Sequence, residues 1–204
     1  MKRTSINIRL LLAALFFACA IGIATAQAHS LDEGDNRVAQ RAAIASADKG
    51  LNFSLLDGDG KPVTEKSWPG KYQLVFFGFT HCPDICPVTL DKLSVALGKL
   101  GADAEKVQTL FVTTDPERDT PDVVKTYVSN VNKSIVGLTG SEAQVKAAED
   151  TFKVYAVKRT GADGEVTVDH SAFIYVVSPD GKLLDVIRGE ATADDIVSKV
   201  KSYL

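Results

Sequence analysis

The apolar residues of this chain follow two spacings, one typical of strands and one typical of helices. Continuous apolar runs predict buried strands over residues 72–78, 107–113 and 172–177. Behind Pro87, leucines recur at intervals of three and four residues, which is the spacing of one helix face. These are Leu90, Leu93, Leu97 and Leu100. The pattern therefore predicts a helix that follows the first of these strands.

The second half of the chain continues the alternation of strands and helices. Thr120 as cap and Pro121 at the first position predict a helix start, and residues 142–152 predict the next helix. A hairpin partner over 183–187 and a final helix over 192–203 close the chain. The order predicts an α/β fold with a central mixed sheet flanked by helices, ending in a C-terminal hairpin and helix.

The N-terminus has the composition of an export segment. Two basic residues follow Met1, an almost wholly apolar run covers 10–26, and a small-residue site ends at Ala28. Residues 1–28 are predicted to be either a cleaved signal peptide or a retained N-terminal anchor. Residues 29–49 read as a linker and residues 50–204 as one domain. We expect that domain in the periplasm, soluble or tethered to the inner membrane, where disulfides persist.

The composition and charge of the chain bear on whether it binds nucleic acid. The 204-residue chain is 45% hydrophobic and 24% charged, with a formal net charge of -3, as expected for a soluble globular domain. No basic cluster follows the N-terminus, whereas nucleic-acid binding requires clustered Lys and Arg. The sequence therefore predicts no nucleic-acid partner.

Cys82 and Cys86 lie four positions apart, directly after the strand over 72–78. On a regular helix their Cβ atoms would be about 5–6 Å apart, beyond the ~3.8 Å of a disulfide but suitable for sharing a metal ion. Pro87 would interrupt a helix that began at Pro83, so we expect an irregular segment with the helix starting near Pro87. The pair could form a disulfide, exchange one, or bind a soft metal.

A metal site needs a third ligand, and His170 is the candidate. It directly precedes the strand over 172–177, and it would reach the cysteines if that strand lies near 72–78. The alternative is a structural histidine held by hydrogen bonds. Two thiolates and one imidazole form a soft site that suits copper, with zinc as a competitor. The missing fourth ligand would leave the site open for release of the metal.

Several longer motifs resemble the SCO/SenC family in order and spacing. They span residues 77–87, 114–121, 137–140, 168–171 and 178–181. The resemblance implies a thioredoxin-like fold and copper, as Cu(I) or Cu(II), held by Cys82, Cys86 and His170. It also implies a metallochaperone that helps to assemble the dinuclear copper centre, CuA, in subunit II of cytochrome c oxidase.

Four further residues of these motifs are candidates for supporting roles. Two of them could act beside the metal site, and two are interpreted as structural. Asp115 follows the strand over 107–113 and Asp169 adjoins His170, so both are candidates for orienting a ligand or a loop from behind the metal. Equally, Asp115 could only cap the turn that follows it. Asp119 and Thr120 read as helix-start residues.

A rival function uses the same two cysteines as a redox pair. In a thiol–disulfide oxidoreductase, one thiolate of Cys82 and Cys86 attacks a partner disulfide and the other resolves the mixed disulfide. Such a protein would reduce the copper-ligating cysteines of the oxidase. Candidate partners are therefore subunit II of the oxidase, another periplasmic copper chaperone and a thiol reductant. A thiol peroxidase is a third hypothesis, but it gives no role to His170.

Overall fold

Residues 50–161 and 166–204 are described by the computed structural model, and within them the chain forms nine strands and four α-helices. The strands are β1 (Ser54–Asp57), β2 (Pro62–Thr64), β3 (Tyr72–Gly78), β4 (Val107–Thr113), β5 (Ile135–Thr139), β6 (Ala156–Thr160), β7 (Val166–His170), β8 (Phe173–Val177) and β9 (Leu183–Arg188). The helices are α1 (Ile85–Leu100), α2 (Pro121–Val131), α3 (Glu142–Phe152) and α4 (Ala193–Lys201). A 3₁₀ segment, Gly101–Lys106, joins α1 to β4.

Seven of these strands form one mixed sheet in the order β2-β1-β5-β4-β3-β8-β9. Strand β3 lies in the interior of the sheet, where it pairs in parallel with β4 and antiparallel with β8. Strands β6 and β7 pair with each other as a separate antiparallel hairpin. The predicted mixed sheet, the terminal β8–β9 hairpin and the closing helix are confirmed.

The sheet is covered on both faces, as the alternation along β3 requires. Leu74 and Phe76 point to one side, where they join a core built with α1, α2 and α4. Val75 and Phe77 point to the other side and pack with Phe152 of α3. All four strand residues are fully buried. Each such side chain contributes about 1.5–3 kcal/mol of hydrophobic stabilisation, which makes β3 a rigid support for the residues that follow it.

Local sequence signals set the helix boundaries. Pro121 occupies the first position of α2, as predicted, and α3 has the predicted bounds. Ser141 and Gln144 form a capping box at the start of α3, so two backbone N–H groups that the helix leaves unpaired receive acceptors. Thr192 and Asp195 do the same at the start of α4.

One predicted strand begins later than expected, and several observed strands were not predicted. The alternation of apolar and polar residues over 51–55 predicts a strand there, whereas β1 begins three residues later, at Ser54. Strands β2 and β5 and the β6–β7 hairpin were not predicted. The hairpin strands have mostly exposed side chains, so they show little hydrophobic period.

The predicted export segment over 1–28 and linker over 29–49 lie outside the described residues. Among the residues that are described, no helix combines the length and the apolar character that a membrane crossing requires.

Candidate metal centre

The two cysteines lie at the junction of β3 and α1. Cys82 is in the turn between them and is partly exposed, whereas Cys86 is in the first turn of α1 and fully buried. The backbone N–H of Cys82 donates to the carbonyl of Phe79 at 3.2 Å. The backbone N–H of Cys86 points at the Cys82 sulfur, 3.4 Å away. Both thiols are free.

Helix α1 begins at Ile85, two residues earlier than the start near Pro87 that the sequence predicted. Pro87 is the third residue of the helix. The first N–H groups of any helix lack an acceptor one turn back, so a proline there removes no helix hydrogen bond. Pro83 lies outside the helix, in the turn. The first helical turn therefore includes Cys86 and leaves Cys82 on the flanking turn.

His170 completes a cluster with the two cysteines. Its Nε2 lies 3.3 Å from the Cys86 sulfur, and the ligand atoms of Cys82, Cys86 and His170 all lie within 4.8 Å of one another. The condition that the sequence set for His170 is met, because β8, the strand after it, pairs with β3. This pairing carries His170, at the end of β7, to the cysteine turn.

The His170 ring is oriented by its surroundings. Nδ1 lies 3.2 Å from the carbonyl oxygen of Ser171, so this nitrogen holds the ring proton and donates it. In the neutral imidazole the lone pair then lies on Nε2, which faces the thiols. The rings of Phe76 and Phe79 lie edge-on to the imidazole, with centroids 6.2 Å and 5.9 Å away. A ligating histidine is commonly arranged in this way, with its second nitrogen donating to a backbone carbonyl.

The two thiols have opposite acid–base character. A hydrogen bond from the Cys86 thiol, helped by the backbone N–H groups of Asp84 and Cys86, lowers the pKa of Cys82 to about 5, although burial opposes the shift. The same thiol–thiol hydrogen bond, together with burial, raises the pKa of Cys86 well above its ordinary value. Cys82 is therefore the more acidic thiol, and Cys86 donates the hydrogen bond between the two sulfurs.

Gly78 gives the Cys86 sulfur its space. A Cβ built on Gly78 would lie 2.7 Å from this sulfur and 2.9 Å from the Phe111 ring. Carbon atoms pack at about 3.5–4.0 Å, so only glycine fits at this strand end. The close approach places the thiol directly against the end of β3.

Asp115 is fully buried at the end of β4 and pairs with two cations. Arg118 donates to it from the same loop, and Lys158 of β6 lies 3.1 Å from its other oxygen. The Arg118 guanidinium also lies over the Phe79 ring, 5.9 Å from its centroid, and this ring contacts His170. Asp115 thus connects the β4 end both to the hairpin that bears His170 and to an aromatic neighbour of its imidazole.

Asp169 is half exposed and forms an ion pair with Arg159 on the paired strand β6. Its carboxylate braces the hairpin, while the His170 ring proton goes to Ser171. Of the other histidines, His29 lies outside the described residues. His81 adjoins Cys82, but its side chain is 54% exposed and its Nδ1 lies 3.1 Å from the Thr80 hydroxyl.

Two contributing residues were not predicted from the sequence. Lys158 lies on a strand with little hydrophobic period, and its contact with Asp115 joins residues 43 positions apart, so no local signal marked it. Asp119 was assigned to the helix start, yet it is fully buried and its carboxylate faces Thr80 of the cysteine turn. The one signal that could have marked Asp119 is its place in the 114–121 motif, which contains three acids.

Comparison with known proteins places this arrangement in a family. The SCO1/SenC family model matches residues 41–204, which is most of the chain. The chain belongs to the SCO1/SenC family. The mitochondrial protein SCO2 of Saccharomyces cerevisiae is 40% identical over 165 residues, covering 79% of this chain and 55% of that protein. The chain spans between half and two thirds of the length of the first curated relatives that it matches.

Solved structures share the fold. ScoI of Bradyrhizobium japonicum, determined with copper bound, superposes with a TM-score of 0.70 at 41% identity, covering 76% of this chain and 99% of that one. BsSco belongs to the Sco family of cytochrome c oxidase assembly proteins and was studied for a disulfide switch. It superposes with a TM-score of 0.61 at 34% identity, covering 75% and 92%. The predicted thioredoxin-like fold is confirmed.

Proposed function

We propose that this protein is a copper metallochaperone that binds the metal through Cys82, Cys86 and His170. Its cargo would go to subunit II of cytochrome c oxidase, for the CuA centre. The observation that carries the proposal is the convergence of two sulfurs and one imidazole nitrogen within 4.8 Å. The copper-bound structure of the Bradyrhizobium japonicum relative supports it.

The donor set fits copper in three respects. Thiolate and imidazole are ligands that suit copper ions in proteins. Nδ1 of His170 faces the Ser171 carbonyl, so in the neutral imidazole the lone pair of Nε2 faces the thiols, as a metal ligand requires. Three ligands also leave the site open, and the partial exposure of Cys82 gives a partner access to one of them. Copper, when bound, supplies no turnover chemistry; it is the cargo.

The surrounding ion pairs would hold these ligands in place. Asp115 would act through Lys158, which fixes the β6–β7 hairpin, and through Arg118, which packs on Phe79 beside the imidazole. Asp169 would act through its pair with Arg159 across the same hairpin. Such supporting residues typically change metal affinity by about 10–100-fold when removed.

Thiol–disulfide exchange is the second candidate, and the character of the two thiols favours it. The pKa of Cys82 is lowered to about 5 and this thiol is accessible, whereas Cys86 is buried and protonated. The Cys82 thiolate would attack a partner disulfide and release one partner thiolate. Cys86, after losing its proton, would then attack the Cys82 sulfur and release the second. Two electrons would pass to the partner, leaving a Cys82–Cys86 disulfide.

The two functions would serve one assembly step. Copper-binding cysteines of the oxidase must be reduced before they can accept metal, and a periplasmic location would oxidise them. We therefore propose that the protein works in the periplasm, either free after cleavage within 1–28 or tethered to the inner membrane. A second copper chaperone would supply the metal and a thiol reductant would reset Cys82 and Cys86.

The test is an anaerobic copper titration of the reduced protein beside two matched histidine variants. His170→Ala removes the proposed ligand, and His81→Ala removes an exposed histidine next to Cys82. We expect one copper per chain and a sulfur-to-copper charge-transfer band in the wild type and in His81→Ala, both lost in His170→Ala. Binding indifferent to His170 would refute the three-ligand site. A wild type without stoichiometric copper would leave thiol exchange as the function.

A further inference from the structure

Asp119 is a buried carboxylate whose position the helix-start interpretation does not explain. It lies in the loop between β4 and α2 and is fully buried. Thr120 is the residue at the N-cap of α2, and no side-chain hydrogen bond caps that helix. The Asp119 carboxylate therefore serves something other than α2.

The carboxylate instead accepts three hydrogen bonds from two threonines. The backbone N–H of Thr80 donates at 3.0 Å and the Thr80 hydroxyl at 2.6 Å. The Thr113 hydroxyl, at the end of β4, donates at 2.6 Å. Hydrogen bonds to a charged acceptor are roughly twice as strong as those between neutral groups. Asp119 thus ties the segment after β3 to the end of the neighbouring strand.

The backbone of Asp119 is itself held from two sides. Its N–H donates to the carbonyl of Asp115 at 3.0 Å, and its carbonyl accepts from the Thr139 hydroxyl of β5 at 2.7 Å. Strands β4 and β5 are neighbours in the sheet. The carboxylate is consequently a fixed point relative to the sheet, and the cysteine turn is attached to it.

Thr80 is two residues before Cys82 and directly follows Phe79. The Phe79 carbonyl accepts the Cys82 N–H, and the Phe79 ring contacts His170. The Thr80 hydroxyl also lies 3.1 Å from Nδ1 of His81. Fixing Thr80 on both its backbone and its hydroxyl therefore fixes the segment that determines where the Cys82 sulfur lies.

We propose that Asp119 is a positioning residue that holds the Cys82 turn in the conformation that receives metal. It touches neither thiol and acts through Thr80. This inference rests on the proposed function for its consequence in metal binding, whereas its consequence for the turn concerns the metal-free protein.

Three variants test the assignment in the full chain. Asp119→Ala removes the acceptor, and Thr80→Val removes the hydroxyl with almost no change of shape. Asp119→Asn keeps an oxygen that accepts from the Thr80 N–H and gains an amide that donates to the Thr80 hydroxyl. Asp122→Asn, at an exposed position in the first turn of α2, is the control for loss of an acid in the same region.

The first readout is amide hydrogen exchange at Cys82 in the reduced, metal-free protein. We expect exchange to accelerate at least about tenfold in Asp119→Ala and Thr80→Val, the scale of one lost hydrogen bond to a charged group. Asp119→Asn and Asp122→Asn should match the wild type. Because the two residues act as one unit, the Asp119→Ala/Thr80→Val double variant should exchange no faster than Asp119→Ala alone.

The second readout is copper affinity with the electron paramagnetic resonance signature of the Cu(II) form. Affinity should fall about tenfold or more in Asp119→Ala and Thr80→Val, with broadened signals, and recover in Asp119→Asn. If a wild type without copper binding refuted the proposed function, the exchange experiment would still decide the role of Asp119. Wild-type exchange at Cys82 in folded Thr80→Val and Asp119→Ala would overturn the assignment. So would an Asn variant as impaired as the Ala variant, because the charge rather than the hydrogen bonds would then matter.

Discussion

Gly78→Ala should damage the metal centre, because the added methyl group would press directly on the Cys86 sulfur. The new Cβ would lie 2.7 Å from the Cys86 sulfur and 2.9 Å from a carbon of the Phe111 ring. Both neighbours are fully buried in the core beside α1, and the strand that carries Gly78 lies in the interior of the sheet. Relief of the clash therefore requires the sulfur or the ring to move.

The size of the effect follows from those distances. Ordinary contacts at about 3.5–4.0 Å require the sulfur to retreat by about 1 Å, whereas functional groups must be held within about 0.5 Å of their productive position. We therefore expect copper affinity to fall by about tenfold or more, within the range seen when support of a ligand is lost. Overpacking should also cost about 1–3 kcal/mol of the free energy of unfolding.

Denaturant unfolding of the reduced, metal-free protein and an anaerobic copper titration measure the two effects. Gly98→Ala is the matched control, because Gly98 is an exposed residue within α1 and nothing lies within 4 Å of the added Cβ. The control should gain about 0.5–1 kcal/mol, as a glycine-to-alanine change in a helix does, and should bind copper normally. A Gly78→Ala protein with wild-type stability and affinity would refute the proposed packing of Cys86.

Three further predictions address charge and reactivity. Burial raises the pKa of Glu149 to about 7, so the free energy of unfolding should decline as pH rises from about 4.5 to 7. Glu149→Gln should abolish this decline and raise the free energy of unfolding by about 1–3 kcal/mol at pH 8. A pH profile of the variant that runs parallel to that of the wild type would contradict this. Lys158→Met should lower the free energy of unfolding by about 1–2 kcal/mol, because buried Asp115 loses one of its two cations. The control Lys146→Met, at an exposed ion pair, should lower it by less than about 0.5 kcal/mol. Equal losses for the two variants in denaturant unfolding would contradict the prediction. Mass spectrometry after brief iodoacetamide treatment of the reduced protein at pH 6.5 should find the label on Cys82, since its pKa is lowered to about 5. Faster labelling of Cys86 would show that Cys86 is the more reactive thiol and would contradict the prediction.

The sequence predicted the central strands because burial on both faces leaves continuous apolar runs. Strands β3 and β4 have the predicted bounds for this reason. The β6–β7 hairpin is mostly exposed, so its strands follow from pairing with each other rather than from a local period. Helix α1 starts earlier than expected because the geometry of a first helical turn tolerates Pro87.

The candidate site was predictable where chemistry is encoded by residue type. Two cysteines at short spacing and a histidine before a core strand predicted three candidate ligands, and the structure brings these three residues together. The supporting residues were less predictable, because their use depends on distant partners. Asp119 looks like a helix-start residue in the sequence, yet its partner Thr80 lies 39 residues away.

Copper transfer to subunit II tests the central claim most directly. Reduced, copper-loaded protein would be mixed anaerobically with the metal-free, reduced copper-binding domain of the oxidase subunit, and the two would be separated and analysed for copper. The account predicts that the metal moves to the subunit II domain, and that the His170→Ala protein, prepared in the same way, delivers none. Copper that stays with the loaded protein, or that reaches the subunit equally well from the His170→Ala preparation, would contradict it.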